Sequence, residues 1–293
     1  MVDESGLVKA FQGWYEMLNG VGIGARGRQS QSRAGLDTDG DPDTDTEKSF
    51  VFSSFVQEAR PMQMRQFRYN SDNLGYLVWS GDRALAVDGG AVEAIAGFAR
   101  DNGLKLVAVT NTHGHSDHTM GTAQLARQTG AKTLDPAWVA GQQTLDLGHE
   151  RIRIYPTPGH TTDSLCFHAG HFLLTGDTLF NGTVGNCFSG DLEGFYRSIR
   201  QLMDLPPETI IYAGHDYVHQ SMAFARWLEP DNPHIAAYLA AYDPAHVCSR
   251  LAEELFVNPY LRFNQPEMIA VLRQKGFETA TELGRWLSLM GME

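Results

Sequence analysis

The chain has 293 residues, room for one large domain or two modest ones. Its 42% hydrophobic content and five Trp exclude wholesale disorder. A net charge of −12, from 23 Lys plus Arg against 35 Asp plus Glu, argues against nucleic acid or an anionic membrane surface as the main partner, because both demand clustered positive charge.

In chain order, Leu7, Val8, Phe11, Trp14, Tyr15 and Leu18 recur at spacings of three and four, which predicts an amphipathic helix over residues 6–19. Its aromatic stripe needs a cover, either the chain's own body or, in the sharper reading, a second copy in a homodimer. Residues 24–48 lack a hydrophobic period and read as a flexible linker. The stretch LDTDGDPDTDTEK holds six acids and one Lys, so part of the charge is local. It is out of order for a calcium loop, since Gly40 falls early and Pro42 interrupts. Residues 1–49 thus form an N-terminal segment ahead of the folded body.

From about residue 50, short β-branched or aromatic runs appear, each closed by a turn signal: VFSSFV, MQMRQF, GYLVWS and ALAVD. A helix near 91–102, the strand LKLVAVTN and a helix near 119–129 follow. Then come the strands RIRIYPT, SLCFHA and HFLLTGD, a helix near 192–204 and the strand TIIYAGH. Two batches of strands, each with helices, suggest packed sheets covered by helices. After about 217 the texture is helical and no strand pattern reappears, so the reading is an α/β body over 50–217 and a helical C-terminal domain over 218–293.

Cys166, Cys187 and Cys248 are too few and too scattered for a disulfide framework or a CxxC metal site, which suits a reducing compartment. No apolar run approaches the roughly 18 residues of a membrane helix, and MVDESG has no basic signal region. Cytoplasm is the default expectation, with no membrane partner.

The chemistry concentrates at strand ends. LKLVAVTN runs into His113-Gly114-His115-Ser116-Asp117-His118, four metal-capable side chains in six positions. His113 and His115 can share one ion, and Asp117 and His118 point to a second. Pro158-Gly159-His160, Thr175-Gly176-Asp177 and Ala213-Gly214-His215 each set another such residue beside a glycine after an apolar strand. Imidazoles with carboxylates suit a borderline ion such as zinc. Asp88, in AVDGG, reads as a hydrogen-bond partner of the metal loop more readily than as a ligand.

HxHxDH followed by PGHT, TGDT and GHDY resembles the metallo-β-lactamase superfamily, and within it glyoxalase II, the hydroxyacylglutathione hydrolases. FARWLEPDNPHI and SRLAEELFVNPYLR are similar to the helical domain that glyoxalase II adds. The resemblance covers roughly residues 60–275 and implies an α+β fold, a four-layer αββα sandwich with a C-terminal helical domain. It implies two divalent ions, zinc first, with iron or manganese fitting the same donors. His113, His115 and His160 would hold one ion, Asp117, His118 and His215 the other, and Asp177 would bridge them. Asp117 and Asp177 would be catalytic. A water activated between the ions would cleave an acyl-thiol, a small-molecule thioester. No GxSxG elbow is present, in keeping with a mechanism that needs no serine nucleophile.

The resemblance weakens at the thiol. Where glyoxalase II uses a Lys and a Tyr after the bridging Asp, NGTVGNCFSGD supplies Asn186 and Phe188. Tyr217 is retained, and Lys275 matches the C-terminal Lys. Leu272 stands at the Arg position with Arg273 beside it. The substrate-binding expectations are therefore Asn186, Phe188, Tyr217, Arg273 and Lys275, with a carrier other than glutathione open.

Three other functions compete. A mononuclear iron persulfide dioxygenase of the same superfamily would use only His113, His160 and Asp177, but its GCGR-type loop is replaced by VGNC. A ribonuclease Z-type nuclease would need a basic arm. A non-catalytic partner-binding protein with a structural metal would have a closed site rather than an open pair.

Overall fold

Asn73–Ser80 (β2) shows how the layers arise. Leu74, Tyr76 and Val78 join one buried cluster while Leu77 joins another. A strand with both faces buried must lie between two covering layers. The structure, a computed structural model, describes residues 61–292. The predicted N-terminal helix, the acidic linker, the VFSSFV run and any dimer contact through that helix lie outside the described residues.

Gln63–Tyr69 (β1) pairs antiparallel with β2, and β2 with Arg83–Val87 (β3). Lys105–Thr110 (β4) then runs parallel to β3, and Lys132–Thr133 (β5) parallel to β4. A parallel step needs a crossover, which Val92–Asp101 (α1) provides. Ile95, Ala96 and Ala99 of α1 pack with Leu77, Ala86 and Val109 on the sheet's outer face.

The second sheet contains Thr144–Leu147 (β6), Glu150–Pro156 (β7), Leu165–Ala169 (β8), Phe172–Gly176 (β9), Ile210–Ala213 (β12) and Ser249–Arg250 (β13), in the order β13-β12-β9-β8-β7-β6. A two-stranded hairpin, Leu179–Phe180 (β10) with Thr183–Val184 (β11), follows β9. In β8, Leu165, Phe167 and Ala169 face the first sheet's Leu74, Tyr76 and Val87 within one core, while Cys166 joins the opposite layer. That layer holds Phe195, Ile199 and Leu202 of Leu192–Met203 (α5). The result is the expected αββα sandwich.

Two elements depart from the sequence reading. The helix expected near 119–129 arrives as Ser116–Thr119 (α2) and Thr122–Thr129 (α3). They break at Gly121, where a Cβ would lie 2.3 Å from the Gly89 carbonyl oxygen, so only glycine lets the backbones meet. A strand also reappears after 217: β13 pairs antiparallel with β12 at Ile210 and Ile211. Two residues are too short for an alternation, so its only signal is the edge it completes. Cys248 directly precedes this strand.

Pro136–Ala140 (α4) packs beside β7. The C-terminal region is helical: Val218–Leu228 (α6), His234–Ala241 (α7), Leu251–Val257 (α8), Pro266–Gln274 (α9) and Glu282–Met290 (α10). Trp286 and Tyr260 share the core of α5, and Val218, Met222 and Ala225 share the core between the sheets. Two buried polar features lock this region. Arg262 pairs with Glu229 through Nε–Oε2 and Nη2–Oε1, both 2.8 Å. Glu254, fully buried, accepts from Gly182 N and Asn258 Nδ2 on Oε2 and meets the Ser249 and Tyr238 hydroxyls on Oε1. Among the described residues no helix is long and apolar enough to cross a membrane.

Candidate metal centre

The site forms where strand tips of both sheets end on one rim. β4 stops at Thr110, and the following loop delivers His113 and His115 before α2 carries Asp117 and His118. The tips after β7, β9 and β12 deliver His160, Asp177 and His215. Gly214 is required there for space, because a Cβ would sit 2.2 Å from Asp177 Oδ1.

The side chains fall into two groups, each close enough to share an ion: His113, His115, His160 and Asp177, then Asp117, His118 and His215. In the first, His115 Nδ1 is 2.9 Å from His113 Nε2 and 3.1 Å from His160 Nε2. In the second, His118 Nε2 and His215 Nε2 are 3.1 Å apart, and Asp117 Oδ2 is 3.2 Å from His215 Nε2. Asp177 lies between the groups. Its Oδ2 is 3.5 Å from both His160 Nε2 and His215 Nε2, and its Oδ1 is 3.3 Å from His118 Nε2.

Outward-facing nitrogens fix the tautomers. His118 Nδ1 is 3.0 Å from Asp88 Oδ2, His215 Nδ1 is 2.7 Å from Asp72 Oδ1, and His160 Nδ1 is 2.9 Å from the Asn186 carbonyl oxygen. His113 Nδ1 is 3.1 Å from Thr112 Oγ1, a hydroxyl that itself donates to Asp88. Each contact places the proton on Nδ1 and leaves the Nε2 lone pair facing inward. His115 instead turns Nδ1 inward. Five imidazoles aim at one another with few protons left between them, and the buried Asp177 Oδ1 accepts no hydrogen bond. Cations satisfy such a donor set. A tetrahedral zinc with bonds of about 2.1 Å would hold its ligand atoms roughly 3.4 Å apart, inside the spread found here.

Charge leans the same way. Burial pushes His113 down to about 4, with the charge of His118 adding to the effect. Burial also opposes charge on His118, but Asp88 and Asp177 outweigh it and raise it to about 11. Asp177 is held well below the carboxylate range, because the neighbouring His118 and His215 rings outweigh its burial. The carboxylates thus favour positive charge beside them, which a bound cation would supply in place of a proton.

Comparison with known proteins follows this geometry. The metallo-beta-lactamase superfamily pattern matches residues 73–134 and 132–215, and the hydroxyacylglutathione hydrolase C-terminus matches residues 216–286. The hydroxyacylglutathione hydrolase of Anaeromyxobacter dehalogenans is 38% identical over 226 residues, 70% of this chain and 88% of that protein. The chain belongs to the hydroxyacylglutathione hydrolase family. The corresponding protein of Chromohalobacter salexigens is 32% identical over 67% of this chain and 84% of its own. Among solved structures, ETHE1 from Myxococcus xanthus superposes with a TM-score of 0.56 at 22% identity, covering 78% of this chain and 90% of that one, a likeness of fold. Family membership makes the chain a metal-dependent thioester hydrolase.

The expected substrate contacts of this hydrolase separate in space. Asn186 and Tyr217 line a cavity of about 200 Å³ with Phe180, Val184, Gln220 and Phe224. The Tyr217 ring stacks on His215 with centroids 5.0 Å apart. Phe188 is instead 66% exposed, edge-on to His115 and His160. Arg273 and Lys275 do not line the cavity. Arg273 donates to Thr279, and Lys275 Nζ lies 3.9 Å over the Trp227 ring. Leu272 is a core residue.

The sequence reading missed the β1–β2 turn. Asp72 orients His215, and Asn73 Nδ2 donates to Asp117 Oδ2 at 2.9 Å. Polar turn residues gave no sign of this, because their partners lie 143 and 44 residues away. Asp88 does what was expected of it, accepting from Thr112 N at 2.8 Å.

Proposed function

We propose that the chain hydrolyses a small acyl-thiol with two divalent ions, one held by His113, His115 and His160, the other by Asp117, His118 and His215, with Asp177 shared. The observation that carries this is the pair of ligand groups meeting at one buried carboxylate. Zinc suits these donors first, and iron or manganese would fit the same set. When bound, such ions supply Lewis acidity and lower the pKa of water towards neutrality.

The side chains supply the rest. Asp177 keeps the two groups in register. Asp117, whose side chain is 40% exposed, is the solvent-facing carboxylate that orients the attacking water and receives its proton. Water adds to the acyl carbon, the C–S bond breaks, and the thiol leaves through the cavity beside Tyr217. Phe188 shields one side of His115 and His160 from bulk water. A division near residue 217 between the sandwich and a helical C-terminal domain belongs to this proposal, supported by family matches that meet at 215 and 216. Three free cysteines suit work in a reducing compartment such as the cytoplasm.

The test is a panel of thioesters offered to metal-loaded protein, with released thiol read by a thiol-reactive dye. Turnover is expected for the native protein and not for Asp177→Ala. A metal-loaded native protein that leaves every thioester intact would refute the assignment.

A further inference from the structure

We propose that the leaving thiol recognised by this site is uncharged where it meets the chain, an amide of the N-acylcysteamine type, rather than the charged tripeptide glutathione. The inference rests on the thioester-hydrolase reading and specifies its substrate.

The cavity lies directly against the metal-capable histidines. Tyr217, one wall, stacks on His215, and Asn186, another, gives its carbonyl oxygen to His160 Nδ1 at 2.9 Å. A thiol leaving from the site therefore extends into this space. None of its described lining residues is charged. Phe180, Val184 and Phe224 supply apolar wall. The side-chain amides of Asn186 and Gln220 have no hydrogen bond to another described residue, so each offers a donor and an acceptor. The amide of an N-acylcysteamine chain matches that pair, as the cysteinyl amide of glutathione also would, so it is the charged ends of glutathione that separate the two thiols. A carboxylate in this space would find no cation among the described lining residues.

Among the described residues, the nearby charges do not supply a free cation to this space. Asp72, Asp117 and Asp163 border the site; Asp72 and Asp117 contact His215, and Asp163 Oδ2 lies 3.0 Å from where a Cβ on Gly114 would sit. Arg68 is held by Asp216 at 2.5 Å. Arg273 donates to Thr279. Lys275 rests on Trp227, which stacks on Phe224, so its single charge reaches the rim and not the interior. Phe188, edge-on to His115 and His160, and Met120, beside Asn70, are 66% and 62% exposed, further apolar surface.

The experiment compares one hydroxyacyl group carried by N-acetylcysteamine, by coenzyme A and by glutathione, using metal-loaded protein and kcat/KM as readout. The N-acetylcysteamine ester should exceed the glutathione ester by at least about tenfold, as expected when a charged group must bury without its hydrogen-bonded partner. Asn186→Lys should shift the ratio towards glutathione by a similar factor. A coenzyme A ester that matches the N-acetylcysteamine ester would identify the carrier as coenzyme A; one that is not cleaved would point to free amide thiols. A glutathione ester cleaved as well as or better than the others would overturn the inference and leave the thioesterase standing. No turnover of any ester would remove the thioesterase reading, and this inference with it.

Discussion

Asp88→Asn isolates the support beneath the metal centre. Asp88 has a φ of 55°, a left-handed conformation that Asn also accepts, so the backbone can stay in place. Its Oδ1 receives Thr112 N at 2.8 Å and its Oδ2 receives Thr112 Oγ1 at 2.8 Å and His118 Nδ1 at 3.0 Å. All three residues are buried. An amide has one oxygen for these two sides. With the oxygen towards Thr112 N, the NH2 faces His118 Nδ1, which must then accept and move its proton to Nε2, the atom aimed at the second ion. With the oxygen towards His118, the NH2 meets the Thr112 N–H and two donors face each other. Either arrangement leaves one buried mismatch of about 1–3 kcal/mol. Loss of such an orienting contact weakens metal binding by about 10–100-fold. Zinc competition with a chromophoric chelator should show one of two equivalents weakened by that factor, and chemical unfolding of the metal-free protein should show the stability loss. A variant that binds both equivalents with native affinity and unfolds at the native midpoint would refute the reasoning.

Three further predictions concern packing and charge. Glu229→Ala strands the buried Arg262 guanidinium and should cost about 3–5 kcal/mol in urea unfolding, whereas Glu229→Leu with Arg262→Met should recover most of the loss. Burial raises the Glu254 carboxyl above its ordinary 4.5, against the hydrogen bonds it accepts. The folded state therefore holds this proton more tightly than the unfolded chain. The contribution is full below 4.5 and is lost as pH rises through the raised folded value. Glu254→Gln, which can keep the contacts to Gly182 N and Asn258 while Ser249 and Tyr238 turn to accept, should flatten that pH dependence; Glu254→Leu should cost at least about 2 kcal/mol through stranded donors. Gly214→Ala places a methyl 2.2 Å from Asp177 Oδ1 and should lower turnover by about 100-fold with a near-native circular dichroism spectrum.

Much of the site was legible because its residues follow strands whose patterns are strong. HxHxDH puts four groups within six positions, and each remaining ligand stands beside a glycine after an apolar run. The sandwich was legible because strands such as SLCFHA alternate between two buried layers. Other features depended on tertiary contacts that local pattern does not encode. Asp72 matters because its hairpin turn meets His215, and β13 exists because β12 offers an open edge. The break at Gly121 reflects the approach of Gly89, far outside a helical window. Arg273 and Lys275 follow Leu272 in sequence, but Leu272 anchors the core and its neighbours turn away from the cavity.

Metal content of the purified protein by inductively coupled plasma mass spectrometry, normalised to chain concentration, tests the central claim most directly. The geometry predicts two ions per chain in the native protein and a marked loss from both groups in Asp177→Ala, because that carboxylate lies within 3.5 Å of nitrogens of both. A fully active protein saturated by a single ion, or an Asp177→Ala variant that still holds two, would contradict the account.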